Sequence, residues 1–220
     1  MPQKREKLAA NDAGVYRKGK NRALDILGAA SRLLVENGYH KLSMRSVASA
    51  AGMSLGNLQH YYSTKEELVT QMITHAIDGY IQYFEDIRSK AETPDEEFAD
   101  LVGLVMRDLN NRETTVFFPE IWSIANHEPR FNAALDALYT SWRAILGRAI
   151  AQVNPDLEPA QVTRLALFVS SSIEGHTPFI GFGKPWSRET DALVAMAVQS
   201  FLWLIREGKV PNDPINPPVH

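Results

Sequence analysis

The stretch from 42 to 68, LSMRSVASAAGMSLGNLQHYYSTKEEL, limits the possible folds more than any other part of the chain. Apolar residues recur there at the spacing of one face of a short helix, at Met44, Val47, Ala48 and Ala51. Gly52 follows at once, where a helix commonly ends in a residue that tolerates positive φ. Ser54 can then cap a second helix by accepting a hydrogen bond from a backbone N–H. Two short helices joined by about three residues that include glycine form a helix-turn-helix.

The second helix of this pair, predicted from about Leu55 to Tyr61, has an outward face without acidic residues. Leu58 and Tyr62 are predicted to enter the core. The positions left to face outward are Leu55, Gly56, Asn57, Gln59 and His60. The major groove of DNA admits such a helix, and the side chain of Asn or Gln can form two hydrogen bonds with the edge of one adenine. A hairpin of two helices with a purely structural role has the same spacing, so both readings stay open on spacing alone.

The run from 42 to 69 resembles the DNA-binding domain of the TetR family of transcriptional regulators, and the likeness covers roughly residues 20 to 70. Three features carry it together: the glycine after the first helix of the pair, the aromatic pair Tyr61-Tyr62, and the Lys-Glu-Glu-Leu start at 65–68. Gln59 departs from the pattern, because the family usually has a tyrosine there that contacts a phosphate. The resemblance implies an all-α fold, with an N-terminal three-helix DNA-binding domain containing the helix-turn-helix and a larger helical ligand-binding and dimerisation domain.

The function that the resemblance implies is that of a ligand-responsive, sequence-specific transcriptional regulator rather than an enzyme. We predict a repressor in the bacterial cytoplasm, released from a pseudo-palindromic double-stranded DNA operator by a small-molecule effector. It would act as a homodimer, without a cofactor, metal or membrane partner. The residues predicted to contact DNA are Arg45, Ser54, Leu55, Gly56, Asn57, Gln59, His60, Tyr61 and Lys65. The alternative is a helical small-molecule-binding or enzymatic protein whose helix-turn-helix is only structural.

The charge of the chain is distributed unevenly, which supports a polyanionic partner at one end. Residues 1–65 carry 11 Lys and Arg against 4 Asp and Glu, whereas residues 66–220 carry 12 against 22. A basic end on an acidic body is typical of a protein that presents one end to nucleic acid. Charged surface residues that only contact solvent can also produce some unevenness of this kind.

The order of predicted elements divides the chain into three parts. Residues 1–18 are a basic flexible arm, which either follows DNA or has no role. Residues 19–66 form the helix-turn-helix domain, with a first helix from about Lys20 to Asn37. Residues 67–220 form the effector-binding and dimerisation domain. Its last two long helices are predicted at about 159–176 and 188–206, and their apolar positions can serve either a dimer interface or an ordinary core.

Composition and motifs exclude several other classes of protein. The chain has no cysteine, so disulfides and thiolate metal sites are excluded. No run approaches about 18 consecutive apolar residues, and the N-terminus lacks the apolar segment of a secretory signal. No G-x-S-x-G, P-loop, dinucleotide fingerprint or H-E-x-x-H occurs. His127-Glu128 and the pair Glu174 and His176 are weak metal candidates, and polar surface or core residues are the commoner explanation.

A ligand pocket is predicted in the second half of the chain, because ligand sites are mostly apolar with a few polar groups. Aromatic residues are plentiful there, and polar residues lie near them in sequence. The residues predicted to bind the ligand are Phe117, Phe118, Trp122, Asn126, His127, Phe168, Glu174 and His176. Ordinary core packing of the same aromatic residues is the alternative.

Overall fold

A computed structural model describes residues 21–211 and Asp213. The predicted basic arm at 1–18 lies outside these residues, as does the start of the first predicted helix. Every regular element in the described part is helical, which confirms the all-α expectation. The chain forms two compact units that divide between His75 and Ala76, and each is described by itself. The domain boundaries expected from the sequence stay predictions.

The first unit contains a three-helix arrangement followed by the start of a long helix. Its elements are α1 (21–37), a 3-10 turn (Tyr39–Lys41), α2 (Met44–Ala50), α3 (Leu55–Gln59) and the beginning of α4 (Lys65–Lys90). The side chains with almost no exposed surface include Ile26, Leu34, Val47, Leu58, Leu68 and Ile73. These are the helical-spacing positions of the sequence, so burial of one apolar stripe per helix accounts for the unit.

Serine caps define where the two short helices start. Ser43 accepts a bond from the backbone N–H of Ser46 at 3.1 Å, and the Ser46 hydroxyl accepts from the Ser43 N–H at 3.1 Å, which closes a capping box on α2. Ser54 caps α3 by accepting from the Asn57 N–H at 3.2 Å. Gly52, in the turn between them, has φ of 63°, a conformation that favours glycine. The turn and both caps therefore follow from local sequence.

The second unit is a bundle around one apolar core. It contains the rest of α4 and the helices α5 (Pro94–Asp108), α6 (Arg112–Ala125), α7 (Pro129–Val153), α8 (Pro159–Glu174), α9 (Thr177–Ile180) and α10 (Thr190–Glu207), with a 3-10 turn at Ser187–Glu189. Prolines occupy the first turns of α5, α7 and α8, where their missing N–H has no partner to lose. The core includes Phe98, Leu101, Met106, Leu146, Val169 and Ile205.

Three predicted helix limits differ from the structure by about two residues. The recognition-helix candidate α3 ends at Gln59 rather than Tyr61. The helix from Pro159 ends at Glu174 rather than His176, because the backbone turns into the short α9. The last helix begins at Thr190 rather than Arg188, since a 3-10 turn precedes it. Ends of helices vary in this way because local turns compete with the last hydrogen bonds.

Candidate nucleic-acid interface and ligand cavity

Helix α3 exposes the face that the sequence predicted for DNA. Its Leu58 side chain is fully buried. Gly56, Asn57 and Gln59 are exposed, and so is His60 directly after the helix. The Ser54 cap fixes the start of this helix, so the exposed amide side chains project from a defined backbone. An α-helix of this kind can present Asn and Gln to base edges.

The residues that flank α3 in sequence add positive charge and a phenol. Arg45 is exposed on α2, and the Tyr61 side chain is 38% exposed. No Asp or Glu occurs between Glu36 and Glu66. Such a surface suits a polyanion, because Arg, Tyr and free backbone N–H groups are the usual donors to phosphate.

Lys65, predicted as a phosphate contact, is held by the 3-10 turn. Its Nζ donates to the backbone carbonyl of Tyr39 at 2.7 Å and lies 3.6 Å from the centre of the Tyr39 ring. A cation over an aromatic face is attracted by the ring quadrupole. Lys65 therefore fastens the first turn of α4 to the turn after α1. A phosphate contact by Lys65 stays a prediction.

Arg22 on α1 positions the turn of the helix-turn-helix, a role that sequence reasoning missed. Its Nη2 donates to the carbonyl of Ala51 at 2.8 Å and reaches the carbonyl of Gly52 at 3.4 Å. A cation at the C-terminal end of α2 is also attracted by the negative end of the helix dipole. The contact joins residues 29 apart in sequence, so no local pattern reveals it.

The second unit contains a cavity between its helices that is open on one side. Its volume is about 550 Å³, including the part that opens to solvent. Its walls come from α4, α5, α6, α7 and the end of α8. The lining residues are Ile77, Tyr80, Ile81, Phe84, Val105, Leu109, Thr114, Phe118, Leu138, Tyr139, Ser141, Trp142, Ile145 and Glu174. A mostly apolar wall with a few polar groups is typical of small-molecule sites.

Glu174, at the end of α8, ends a hydrogen-bond chain at the cavity wall. The Trp122 indole N–H donates to the Tyr139 hydroxyl at 2.8 Å, and that hydroxyl donates to Glu174 Oε1 at 3.1 Å. Burial raises the pKa of the Glu174 carboxyl to about 7, although the bond from Tyr139 acts in the opposite direction. Burial and the Glu174 charge also raise the pKa of Tyr139. The carboxyl therefore changes its charge close to neutral pH.

A second polar cluster lies where α4 meets α5 and α6. The Tyr80 hydroxyl and the Thr114 hydroxyl both donate to Asp108 Oδ2, the latter at 2.6 Å. Burial, and then the Asp108 carboxylate, raise the pKa of Tyr80, so its phenol keeps its proton. Since Tyr80 and Thr114 also line the cavity, a molecule in the cavity would contact this cluster.

The residues predicted for the ligand site fall into two groups. Phe118 and Glu174 line the cavity, and Trp122 reaches it through Tyr139. Phe117 is buried and packs edge-to-face on Phe118 with ring centres 5.5 Å apart.

The remaining four residues do not line the cavity. Phe168 is 51% exposed and packs on Phe201. His176 has Nδ1 2.7 Å from the Ser172 carbonyl oxygen, while Asn126 and His127 are exposed after α6. The cavity aromatics that the prediction omitted are Tyr80, Phe84, Tyr139 and Trp142.

Large apolar side chains remain exposed on α8 and α10. Leu167 and Phe168 on α8 are 54% and 51% exposed, and Met196 and Trp203 on α10 are 62% and 63% exposed. Large apolar patches are uncommon on the surface of single soluble chains and commonly mark an interaction surface. Two further observations concern the described residues alone. No helix there is long and apolar enough to cross a membrane, and no group of three or more potential metal-ligating side chains forms.

The short α2–α3 pair, with its capped second helix and acid-free exposed face, places the protein among helix-turn-helix DNA-binding regulators. The family model for bacterial regulatory proteins of the tetR family matches residues 26–72. The model for the C-terminal part of BetI-type transcriptional repressors matches residues 94–202. The chain therefore belongs to the TetR family of transcriptional regulators.

Similar proteins agree with this family. The regulator PksA of Bacillus subtilis is 26% identical over 132 residues, which are 58% of this chain and 63% of PksA. The repressor KstR2 of Mycobacterium tuberculosis is 25% identical over 150 residues, 64% of this chain and 73% of KstR2. The crystal structure of FadR from Bacillus subtilis in complex with stearoyl-CoA has a TM-score of 0.64 at 20% identity, over 84% of this chain and 98% of that one. These relatives are regulators, and the structural likeness supports the same fold.

Proposed function

We propose that this regulator is a homodimeric repressor that binds a pseudo-palindromic operator and leaves it when a small molecule enters the cavity of its second unit. The exposed face of α3 carries the proposal for DNA. Asn57 and Gln59 supply the base-reading amides, and Arg45 and Tyr61 supply donors to phosphate. Ser54, Leu55, Gly56, His60 and Lys65 complete the proposed contact set.

The cavity supports control by a small molecule. FadR of Bacillus subtilis, a structural neighbour, was crystallised with stearoyl-CoA. In the present chain α4 is a single helix of 26 residues that begins with Lys65 and also carries the cavity residue Tyr80. We propose that a ligand beside Tyr80 shifts α4 between two positions, because a ligand changes an equilibrium only by contacting the two states differently. A shift of α4 would change the spacing of the two α3 helices in the dimer.

The exposed apolar side chains of α8 and α10 support the dimer. A two-fold dimer presents two recognition helices to the two halves of a palindromic site. Burial of four large apolar side chains from each copy would remove from water the surface that a single chain exposes. The proposed dimer therefore uses Leu167, Phe168, Met196 and Trp203.

Operator binding by α3 can be tested with two single variants. A mobility-shift titration on the region upstream of the protein's own gene should show affinity for DNA weakened about tenfold or more by Asn57→Ala or Gln59→Ala, as expected for loss of a base contact. Asn132→Ala is the matched control, because Asn132 is an exposed asparagine on α7. Unchanged affinity in both α3 variants, in protein that retains its helical circular dichroism, would contradict the proposed reading helix.

A further inference from the structure

The junction between α5 and α6, residues 107–111, borders the cavity. The Tyr80 and Thr114 hydroxyls both donate to Asp108 Oδ2, the latter at 2.6 Å. Tyr80, Thr114 and Leu109 also line the cavity. A molecule in the cavity would therefore lie against the two side chains that orient the Asp108 carboxylate, and against the residue that follows Asp108 in the chain.

The same junction is bonded to the connection between α9 and α10 through the Leu109 carbonyl. The backbone N–H of Phe182 donates to this carbonyl at 2.9 Å and reaches the Thr115 hydroxyl oxygen at 2.8 Å, and the Thr115 hydroxyl donates to the Leu109 carbonyl as well. The two segments lie close together, because a Cβ added to Gly181 would lie 2.9 Å from the Thr115 side chain. A shift of Leu109 therefore has little free space to enter before it displaces Phe182.

Asn110 connects the junction to the start of α10. Its Nδ2 donates to Thr190 Oγ1 at 3.0 Å, and the Thr190 hydroxyl donates to the Ser187 carbonyl at 2.9 Å. Thr190 is the first residue of α10 and is only 4% exposed. Arg107 also pairs with Asp191 at 3.1 Å, but both side chains are largely exposed, so this ion pair adds little. The partly buried bond from Asn110 is therefore the more important of the two contacts.

The contacts with the cavity and with α10 are made by residues that are nearly adjacent in the chain. Asp108 bonds to the cavity wall and Asn110 to α10, and only Leu109 lies between them. Hydrogen bonds to a carboxylate are stronger than those between neutral groups. A bound molecule that accepts the proton of Tyr80 or Thr114 would remove such a bond from Asp108, and the backbone on both sides of Leu109 would then have a different preferred position.

We infer that Asp108, Leu109 and Asn110 are positioning residues that couple the wall of the cavity to the start of α10, and through it to the exposed Met196 and Trp203 on that helix. This inference rests on the proposed function, which assigns the cavity to an effector and α10 to the dimer. It adds a second consequence of ligand binding, a change in the affinity of the dimer, which does not require α4 to move.

Two variants that nearly keep the shape of the side chain test the coupling in a double-mutant cycle. Thr114→Val removes one donor to Asp108 in the cavity wall, and Thr190→Val removes the acceptor of Asn110. The dimer dissociation constants of the full-length wild type, both single variants and the double variant would be measured by sedimentation equilibrium. Because Thr114 and Thr190 share no hydrogen-bond partner, independent effects of the two changes should multiply.

We expect Thr114→Val to raise the dissociation constant about threefold or more, and to have almost no further effect once Thr190→Val has removed the contact with α10. Thr190→Ser keeps the hydroxyl and should retain the full effect of Thr114→Val. Thr74→Val is the control, because Thr74 is exposed and its hydroxyl bonds to the Thr70 carbonyl one turn earlier. No effect of Thr114→Val, or effects of Thr114→Val and Thr190→Val that multiply, would overturn the inference.

Hydrogen exchange tests the same coupling without relying on a dimer. Wild type and Thr114→Val would be compared at a concentration where both have the same association state. The amides in the first two turns of α10, residues 190–197, should exchange about threefold or more faster in the variant, whereas those of the last turn, residues 204–207, should be unchanged. An increase that is uniform along α10 would indicate a general loss of stability and would also overturn the inference.

The two measurements separate this inference from the proposed function. If the wild type sediments as a monomer at tens of micromolar, the proposed dimer is wrong, and hydrogen exchange at the start of α10 decides the inference by itself. If the dimer forms and Trp203→Ser weakens it, but Thr114→Val changes neither the dissociation constant nor the exchange, the dimer stands and the coupling fails.

Discussion

Replacing Glu174 by glutamine should stabilise the protein at high pH and have less effect at low pH. The Glu174 pKa is about 7 in the folded chain against 4.5 in water, so the folded state holds the proton more tightly than the unfolded state does. Stability from this group is therefore greatest at low pH and decreases as pH rises from about 4.5 to about 7. Integration between pH 5 and pH 8 gives a loss of about 2–3 kcal/mol in the free energy of unfolding of the wild type, which the glutamine variant lacks.

The measurement is urea unfolding of wild type and Glu174→Gln at pH 5, 6, 7 and 8, followed by circular dichroism at one fixed protein concentration. The difference in free energy of unfolding between the two proteins cancels the titration of all other groups. We expect this difference to shift in favour of the variant by about 2–3 kcal/mol from pH 5 to pH 8. Glu92→Gln, at an exposed carboxylate, should show a constant difference. A constant difference for Glu174→Gln would refute the burial argument.

Three further predictions concern the turn, the dimer and α4. Gly52→Ala should lower the free energy of unfolding in urea by about 1 kcal/mol, because the φ of 63° disfavours a side chain although the space around it is open. Gly181→Ala should lower it more, by about 2 kcal/mol, because the new Cβ would lie 2.6 Å from the backbone oxygen of Thr177. Trp203→Ser should weaken the dimer in sedimentation equilibrium, while Trp186→Ser, which removes a side chain of nearly equal exposure outside α8 and α10, should not. Tyr80→Phe removes a hydroxyl that bonds to a carboxylate, and should lower the free energy of unfolding by about 1.5–3 kcal/mol in urea unfolding.

The helix-turn-helix was predictable because its determinants are local. Ser54 and the positive φ at Gly52 act over three or four residues, and the buried Leu58 follows the helical period. Arg22 was not predictable in this way, because it acts on a carbonyl 29 residues along the chain. Lys65 also makes a contact that the sequence did not reveal, because its ammonium group is engaged by the ring and carbonyl of Tyr39, 26 residues earlier. Its predicted phosphate contact stays a prediction.

The cavity was predictable only in outline. Helical spacing marks Tyr80 and Trp142 as inward-facing, but periodicity does not separate a side chain that fills a core from one that borders a cavity. Glu174 was identifiable as a polar residue beside an apolar helix. Its partner Tyr139 lies 35 residues earlier on α7, so the bond between them depends on how α7 and α8 pack. The charge of the site therefore came from sequence and its geometry from tertiary structure.

The position of α4 gives a physical reason why ligand chemistry in one unit can matter for DNA binding by the other. Lys65, in its first turn, is bound to Tyr39, and Tyr80, further along, is bound to Asp108. Under the proposed function, a ligand that contacts Tyr80 would act on the same helix whose first turn Lys65 binds to Tyr39. Coupling then requires only that the ligand bind more tightly to one of two α4 positions, and each factor of ten in that preference is worth about 1.4 kcal/mol.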